Sequence, residues 1–214
     1  MKKALILTWS GYQDHEVIFP YFRLKGEDFT TTLVGDKRDG QGRIYGILGT
    51  HMNCDVTYEE FYENIGSYQK EYDLMVIPGG VKALEKLRQE TKVLDFISKW
   101  DSENKIIGST CHGAQLLISA KVTEGKNISG YYSIKDDINN SGATYVNEPV
   151  VKDQNIITSP HYDYMGEWME EIINSHYNID AEEAASKFSN CVIHEEGLEG
   201  LASFFEKRKP YWNK

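Results

Sequence analysis

Basic residues are in short supply. The chain carries 23 lysines and arginines against 33 aspartates and glutamates, a formal net charge of −10 over 214 residues. That balance excludes a general phosphate-backbone binder, which needs a basic face. Cysteine is scarce as well. Cys54, Cys111 and Cys191 are too few and too scattered for a disulfide framework or a zinc site. His51, His176 and His194 have no partners at metal-ligand spacing, so no metal and no cofactor is expected. Apolar runs of about 20 residues are missing, which excludes a membrane-spanning helix. The N-terminus is basic and then apolar, but the apolar stretch is only Ala4–Leu7 and no small-residue cleavage site follows. It reads as a first β-strand and not as a secretory signal. Internal repeats and low-complexity linkers are absent too. What remains is an acidic globular chain, expected in the cytoplasm, long enough to bury a full core without staples.

The apolar residues that are present come in short continuous runs: Ala4–Leu7, Leu74–Ile77, and Ile106–Ile107 before Gly108. Continuous runs suit strands buried on both faces of a parallel sheet. Helical stretches lie between them, over Glu16–Lys25, Thr91–Trp100 and Gly113–Ala120; in the second, Val93, Leu94, Ile97 and Trp100 share one face. Pro20 lacks the N–H that would bond near Glu16, so the first helix starts close to Glu16 or kinks there. This alternation predicts an α/β fold, doubly wound, with a mostly parallel central sheet. Arg43–Val56 breaks the rhythm and predicts a small β excursion. After about Ile179, two short helical pieces, Ala181–Phe188 and Glu195–Lys207, predict a C-terminal helical extension over 180–214 packed on an α/β domain over 1–179. Leu198, Leu201, Phe204 and Phe205 would form its buried stripe.

Chemistry concentrates in Lys105–Ala120, KIIGSTCHGAQLLISA. A buried strand runs into Cys111, His112 and a glycine follow, and a helix begins at once. A tight strand-to-helix turn holds a nucleophile at the carboxyl end of a sheet, and a helix N-terminus favours a thiolate. The same pattern also describes an inert buried cysteine followed by an exposed histidine. Pro78-Gly79-Gly80 directly after LMVI puts backbone amides at the same sheet edge, although an ordinary strand-ending turn looks identical. Glu16 opens the helix after the first strand, where a solvated glutamate is equally common. Three strand ends would thus bring a thiol, a carboxyl group and amide donors to one crevice, where open α/β sheets bind ligands.

Five segments in order carry a resemblance: DHEVIFPYFRLK (Asp14–Lys25), YDLMVIPGG (Tyr72–Gly80), STCHGAQLLISA (Ser109–Ala120), IKDDINNSGATYVNEPVV (Ile134–Val151) and QNIITS (Gln154–Ser159). Over roughly residues 1–177 the chain resembles the ThiJ/PfpI superfamily, nearest to the intracellular proteases or deglycases of the PfpI type. The resemblance implies a flavodoxin-like three-layer sandwich of the class I glutamine amidotransferase kind, assembled into a homo-oligomer. It implies that Cys111 is the nucleophile and that Glu16 is the helper carboxyl, with a raised pKa beside a lowered one on Cys111. It further implies an oxyanion site from the backbone N–H groups of Gly80 and His112, and a general-base role for the His112 imidazole. Glu85 is the nearest match to a glutamate that a neighbouring subunit sends to orient that histidine, although the chain is one residue longer there. Tyr131 stands where the superfamily has a polar wall residue beside the cysteine; as a bare residue it reads equally as a core-edge tyrosine.

The chain departs from the pattern after Thr158-Ser159, reading PHYDYMGEWM. Pro160, His161, Tyr162 and Asp163 could rebuild the pocket wall there. His161 with Asp163 is a candidate second acid–base or ligand pair, set against a plain surface loop, and His15 reads as a solvated loop residue. The resemblance allows three functions. The first is a cysteine enzyme acting on small reactive carbonyls, as a cofactor-free glyoxalase or a deglycase. The second is a peptidase or amidase working through Cys111 and His112 on peptide or glycated substrates. The third is a non-enzymatic redox-sensing or chaperone-like protein in which Cys111 oxidises.

Overall fold

The computed structural model describes residues 2–36, 42–194, 197–199, 202–203 and 206–211. The chain opens with β1 (Lys3–Leu7), α1 (Asp14–Gly26) and β2 (Thr30–Gly35). A small excursion follows in β3 (Arg43–Tyr45) and β4 (His51–Asn53), then β5 (Val56–Thr57), α2 (Tyr58–Glu63) and α3 (Ile65–Glu71). The middle runs through β6 (Leu74–Ile77), α4 (Val81–Leu87), α5 (Thr91–Ser102), β7 (Ile106–Thr110) and α6 (Ala114–Ser119). The last part holds β8 (Asn127–Ile128), α7 (Lys135–Asn140), β9 (Thr144–Tyr145), β10 (Val151–Asp153), β11 (Ile156–Ser159) and α8 (Met165–Ile193).

Seven strands form one sheet in the order β10-β11-β7-β6-β1-β2-β5. Every neighbouring pair is parallel except β10 with β11. Helices cover both faces, giving the flavodoxin-like sandwich. The continuous apolar runs are its centre: all four residues of β6 and all five of β7 are buried. Full burial of each Leu or Ile side chain contributes roughly 1.5–3 kcal/mol. Trp100 on α5 and Trp168 on α8 close the two faces. Each is fully buried, and each indole N–H donates to a strand carbonyl, Ile106 at 3.1 Å and Ile157 at 3.0 Å. Residues 43–53 form an antiparallel hairpin, the expected excursion, apart from the main sheet.

Helix α1 starts at Asp14, close to Glu16 as the position of Pro20 suggested, and Pro20 lies inside it. One reading of local structure needs correction. Ala181–Phe188 is not a separate helix: it lies within the single 29-residue α8, because no glycine or proline interrupts residues 167–193. The chain divides into two compact units, Met1–Ile173 and Asn174–Lys214. In the second unit Leu198 is 53% exposed, so it does not join a buried stripe. Leu201, Phe204, Phe205 and the side chain of Cys191 lie outside the described residues. Among the described residues no helix is long and apolar enough to cross a membrane, and no cluster of three or more His, Cys, Asp or Glu side chains is arranged to hold a metal ion.

Candidate active site

Sheet register builds the site. Ile77, the last residue of β6, pairs with Ser109 of β7, so two residues further along each strand Gly79 comes level with Cys111. Gly79 in turn accepts the Gln13 N–H through its carbonyl at 3.2 Å, which fixes the start of α1 and places Glu16 against the same turn. Gly79 has no room for a side chain: a Cβ there would stand 2.5 Å from Glu16 Oε2 and 2.8 Å from Cys111 Cβ. The neighbouring Gly80 has φ 110° and opens α4. Its own close contacts are with Gly11, Tyr12 and Gln13.

Cys111 has φ 56°, in the left-handed region that a non-glycine residue enters at a cost of roughly 1–2 kcal/mol. It follows extended Thr110 and begins a 3-10 turn, Cys111–Gly113, that leads into α6. This is the strand–elbow–helix geometry expected from the sequence. Glu16 is fully buried, with Oε2 accepting the Gly79 N–H at 2.6 Å and Oε1 buried without a hydrogen-bond partner among the described residues. Burial pushes its pKa up from the usual 4.5 to about 7, against smaller opposing pulls from the Gly79 N–H and the Cys111 thiol.

The expectation of a lowered Cys111 pKa does not hold. Burial, and then the neighbouring Glu16 carboxylate, push the thiol up, while the His112 backbone N–H alone pulls it down. The end of a six-residue helix does not outweigh desolvation. A charge on Glu16 therefore adds to burial in disfavouring a thiolate at Cys111.

His112 turns its Nδ1 to the sulfur at 3.3 Å and its Nε2 to Ser133 Oγ, also at 3.3 Å. Burial lowers its pKa and so favours the neutral ring. Tyr131 donates its backbone N–H to the Cys111 carbonyl at 3.1 Å, and its ring lies 5.0 Å from that of His112. The row of rings continues through His161 at 6.0 Å, Tyr162 at 3.8 Å and His15 at 4.8 Å, each measured from the ring before. His161 and Asp163 do pair, Nδ1 to Oδ2 at 3.1 Å, beyond Tyr131 from the sulfur. A cavity of about 660 Å³ opens at the far end of the row, between His15, Phe19, Phe22, Leu48, Tyr162 and Met165. Cys111 does not line it. Of the segment after Thr158-Ser159, Tyr162 and Asp163 line this cavity, which is separate from the sulfur.

Glu85 is not brought to this cluster within the chain. It is exposed on α4, and its carbonyl accepts from Gln89. Sequence reasoning missed Ser133, a surface serine with no local signal. It also missed Asp14, whose buried carboxylate accepts the Leu48 and Thr50 N–H groups at 2.8 and 3.0 Å and the Thr50 hydroxyl. Burial alone would raise the Asp14 pKa, but those donors outweigh it and the net shift is downward.

Comparison with known proteins agrees with this architecture. A sequence model described as the DJ-1/PfpI family matches residues 2–175. The chain belongs to the DJ-1/PfpI family. It is 37% identical to a deglycase of Pyrococcus abyssi over 171 residues, 80% of this chain and 97% of that one. Identity to the deglycase PfpI of Pyrococcus furiosus is 33% with the same coverage. Among solved structures, a two-domain protein of Anabaena variabilis with DJ-1/ThiJ/PfpI-like and ferritin-like domains superposes with a TM-score of 0.74 at 30% identity, over 82% of this chain and 48% of that one. A point mutant of Schizosaccharomyces pombe DJ-1 superposes equally well, TM-score 0.74, at 21% identity over 82% and 91% of the two chains, which shows the fold alone. DJ-1/PfpI relatives named as deglycases cover the chain through the elbow and its surroundings, and the 40 or so C-terminal residues fall outside the family match.

Proposed function

We propose that this DJ-1/PfpI family member is a cysteine-dependent enzyme acting on small reactive carbonyls, with a glyoxalase or deglycase outcome. One observation carries the reading: a nucleophilic residue type at φ 56° beside a fully buried glutamate whose pKa is about 7. Such a carboxyl can both give and take a proton near neutral pH. The deglycase-named relatives support the same class.

For a 2-oxoaldehyde the steps balance as follows. The Cys111 sulfur adds to the aldehyde carbon, and the proton the thiol gives up ends on the new oxyanion, giving a hemithioacetal. Backbone N–H groups at Gly80 and His112 are the donors we assign to the developing oxyanion. Glu16, as carboxylate, removes the proton from that carbon and returns one to the adjacent carbon, while the hydroxyl proton passes to the neighbouring ketone oxygen, leaving a thioester of a 2-hydroxy acid. Water hydrolyses the thioester, releasing the acid and restoring the thiol. The net reaction adds one water and needs no cofactor. We assign the work to a cytoplasmic homo-oligomer, with Tyr131 and His161 as wall residues of the substrate site and Glu85 available to a neighbouring copy.

The distance of 3.3 Å between His112 Nδ1 and the sulfur favours a second reading, amide or peptide hydrolysis through Cys111 and His112. Methylglyoxal conversion to lactate without added thiol separates the two. Turnover that disappears in both Cys111→Ser and Glu16→Gln supports the carbonyl reading. Turnover that survives Glu16→Gln at the wild-type rate refutes the Glu16 step. No turnover, with peptide hydrolysis that needs His112, supports the second reading. Neither activity, with an easily oxidised Cys111, leaves the redox-sensing reading.

A further inference from the structure

We infer that Ser133 is a positioning residue for His112, holding the imidazole edge-on to the Cys111 sulfur and serving either ring tautomer. The inference rests on the reading of Cys111 as the reactive group, and it concerns the third member of that cluster. Both ring nitrogens of His112 are engaged, Nδ1 with Sγ and Nε2 with Ser133 Oγ, at 3.3 Å each. With the Tyr131 ring 5.0 Å away and tilted by 31°, these contacts define the plane and the flip of the imidazole.

Ser133 is delivered by a short stretch of backbone built onto the elbow itself. The Tyr131 N–H donates to the Cys111 carbonyl at 3.1 Å, and the Ile134 N–H donates to the Tyr131 carbonyl at 3.0 Å. Ile134 is buried. Gly130 lets the backbone pass close: a Cβ there would lie 2.9 Å from Ile138 Cδ1 and 3.3 Å from the Cys111 carbonyl oxygen. Ser133 therefore keeps station relative to Cys111 through main-chain bonds and not through a long flexible side chain.

A hydroxyl suits this position chemically because it both donates and accepts. With the single ring proton on Nε2, Ser133 accepts it, and the Nδ1 lone pair faces the thiol proton. Once Nδ1 has taken the thiol proton, Nε2 passes its own to Ser133 as the Ser133 hydroxyl proton leaves to solvent, and Ser133 then donates to Nε2 while Nδ1–H faces the thiolate. No ring rotation is needed. A carboxylate in the same place would accept only, and would favour the doubly protonated ring. Burial lowers the pKa of His112, and a neutral partner leaves that shift unopposed.

The test needs no knowledge of the substrate. In the full-length protein, the rate at which iodoacetamide alkylates Cys111 is followed by peptide mass, so that Cys54 does not interfere, between about pH 5 and about pH 9, the range in which histidine titrates. The His112 tautomer is read from ring nitrogen shifts. Ser133→Ala should slow alkylation near neutral pH by about two- to twelvefold, the value of one neutral hydrogen bond, and should change the tautomer ratio. Ser133→Thr should restore both. Ser133→Asp should move the His112 titration upward. An unchanged alkylation profile and tautomer ratio in Ser133→Ala overturns the inference, as does a slowed Ala variant that Thr fails to restore. Absence of methylglyoxal turnover in the wild type would defeat the proposed reaction while leaving these results to decide the role of Ser133.

Discussion

Glu16→Gln tests the electrostatics of the site through stability, independently of any substrate. The fold holds this carboxyl fully buried, with a pKa raised from 4.5 to about 7. An acid whose pKa is higher in the folded state binds its proton more tightly there, so folding gains from protonation. That contribution is fully present below the unfolded value, declines as pH rises from about 4.5, and is gone above about 7. A shift of this size corresponds to roughly 3 kcal/mol, at about 1.4 kcal/mol per unit. Glutamine removes the titration yet preserves the shape, and its carbonyl can still accept the Gly79 N–H. The variant should match the wild type in urea unfolding at about pH 5, where wild-type Glu16 is mostly protonated, to within about 1 kcal/mol. At about pH 8 it should exceed the wild type by up to roughly 3 kcal/mol, or about 6–12 °C in Tm for a chain of this size. Tryptophan fluorescence of the four indoles is a convenient signal. A difference between variant and wild type that fails to grow from the acid to the alkaline condition would falsify the buried, titrating carboxyl, and with it the proton shuttle.

Three further outcomes follow from the same geometry. Cys111 sits at φ 56°, so Cys111→Gly should be more stable than Cys111→Ala by about 1 kcal/mol in urea unfolding, both variants being inactive; the reverse order would show that the elbow carries no strain. Gly79→Ala drives a methyl group against Glu16 Oε2 and Cys111 Cβ, and should destabilise by roughly 1–3 kcal/mol and slow Cys111 alkylation; an unchanged alkylation rate would mean that the turn is not part of the site. Asp14→Ala removes the acceptor that anchors Leu48 and Thr50, at a cost of about 1.5–3 kcal/mol for bonds to a charged group. Hydrogen exchange at those two amides should rise. The Asp14 pKa is lowered, so its stabilisation is present above about 3.8 and lost as pH falls further; the gap between variant and wild type should therefore close in acid.

The parts of the fold written in local sequence were the ones that could be read. LMVI and IIGST are strands because continuous apolar residues at the centre of a parallel sheet are buried on both sides. The elbow was legible because strand, Cys111, His112, Gly113 and helix are consecutive, and only a tight turn connects a buried strand to a helix in so few residues. β2 was not legible: it begins with three threonines, two of them buried against neighbours that the local pattern does not reveal. Two-residue β5 exists only because its partner β2 is already in place. Ser133 gives no signal, since its partner His112 is brought to it by the Tyr131–Cys111 backbone bond.

Residue types and their order thus determined the central strands, the family and the position of Cys111 in a strand-to-helix turn. Tertiary structure decided which way burial shifts the titration of Cys111 and Glu16. Helix position alone argued for a low Cys111 pKa, but the folded chain surrounds Cys111 and Glu16 with Gly79, the elbow and the first turn of α1, and removes the water that would stabilise either charge. Desolvation grows with everything packed around a group, whereas a short helix end acts only through its own few amides. A buried carboxyl and a buried thiol thus face each other, an arrangement that exists only once β1, β6 and β7 lie side by side.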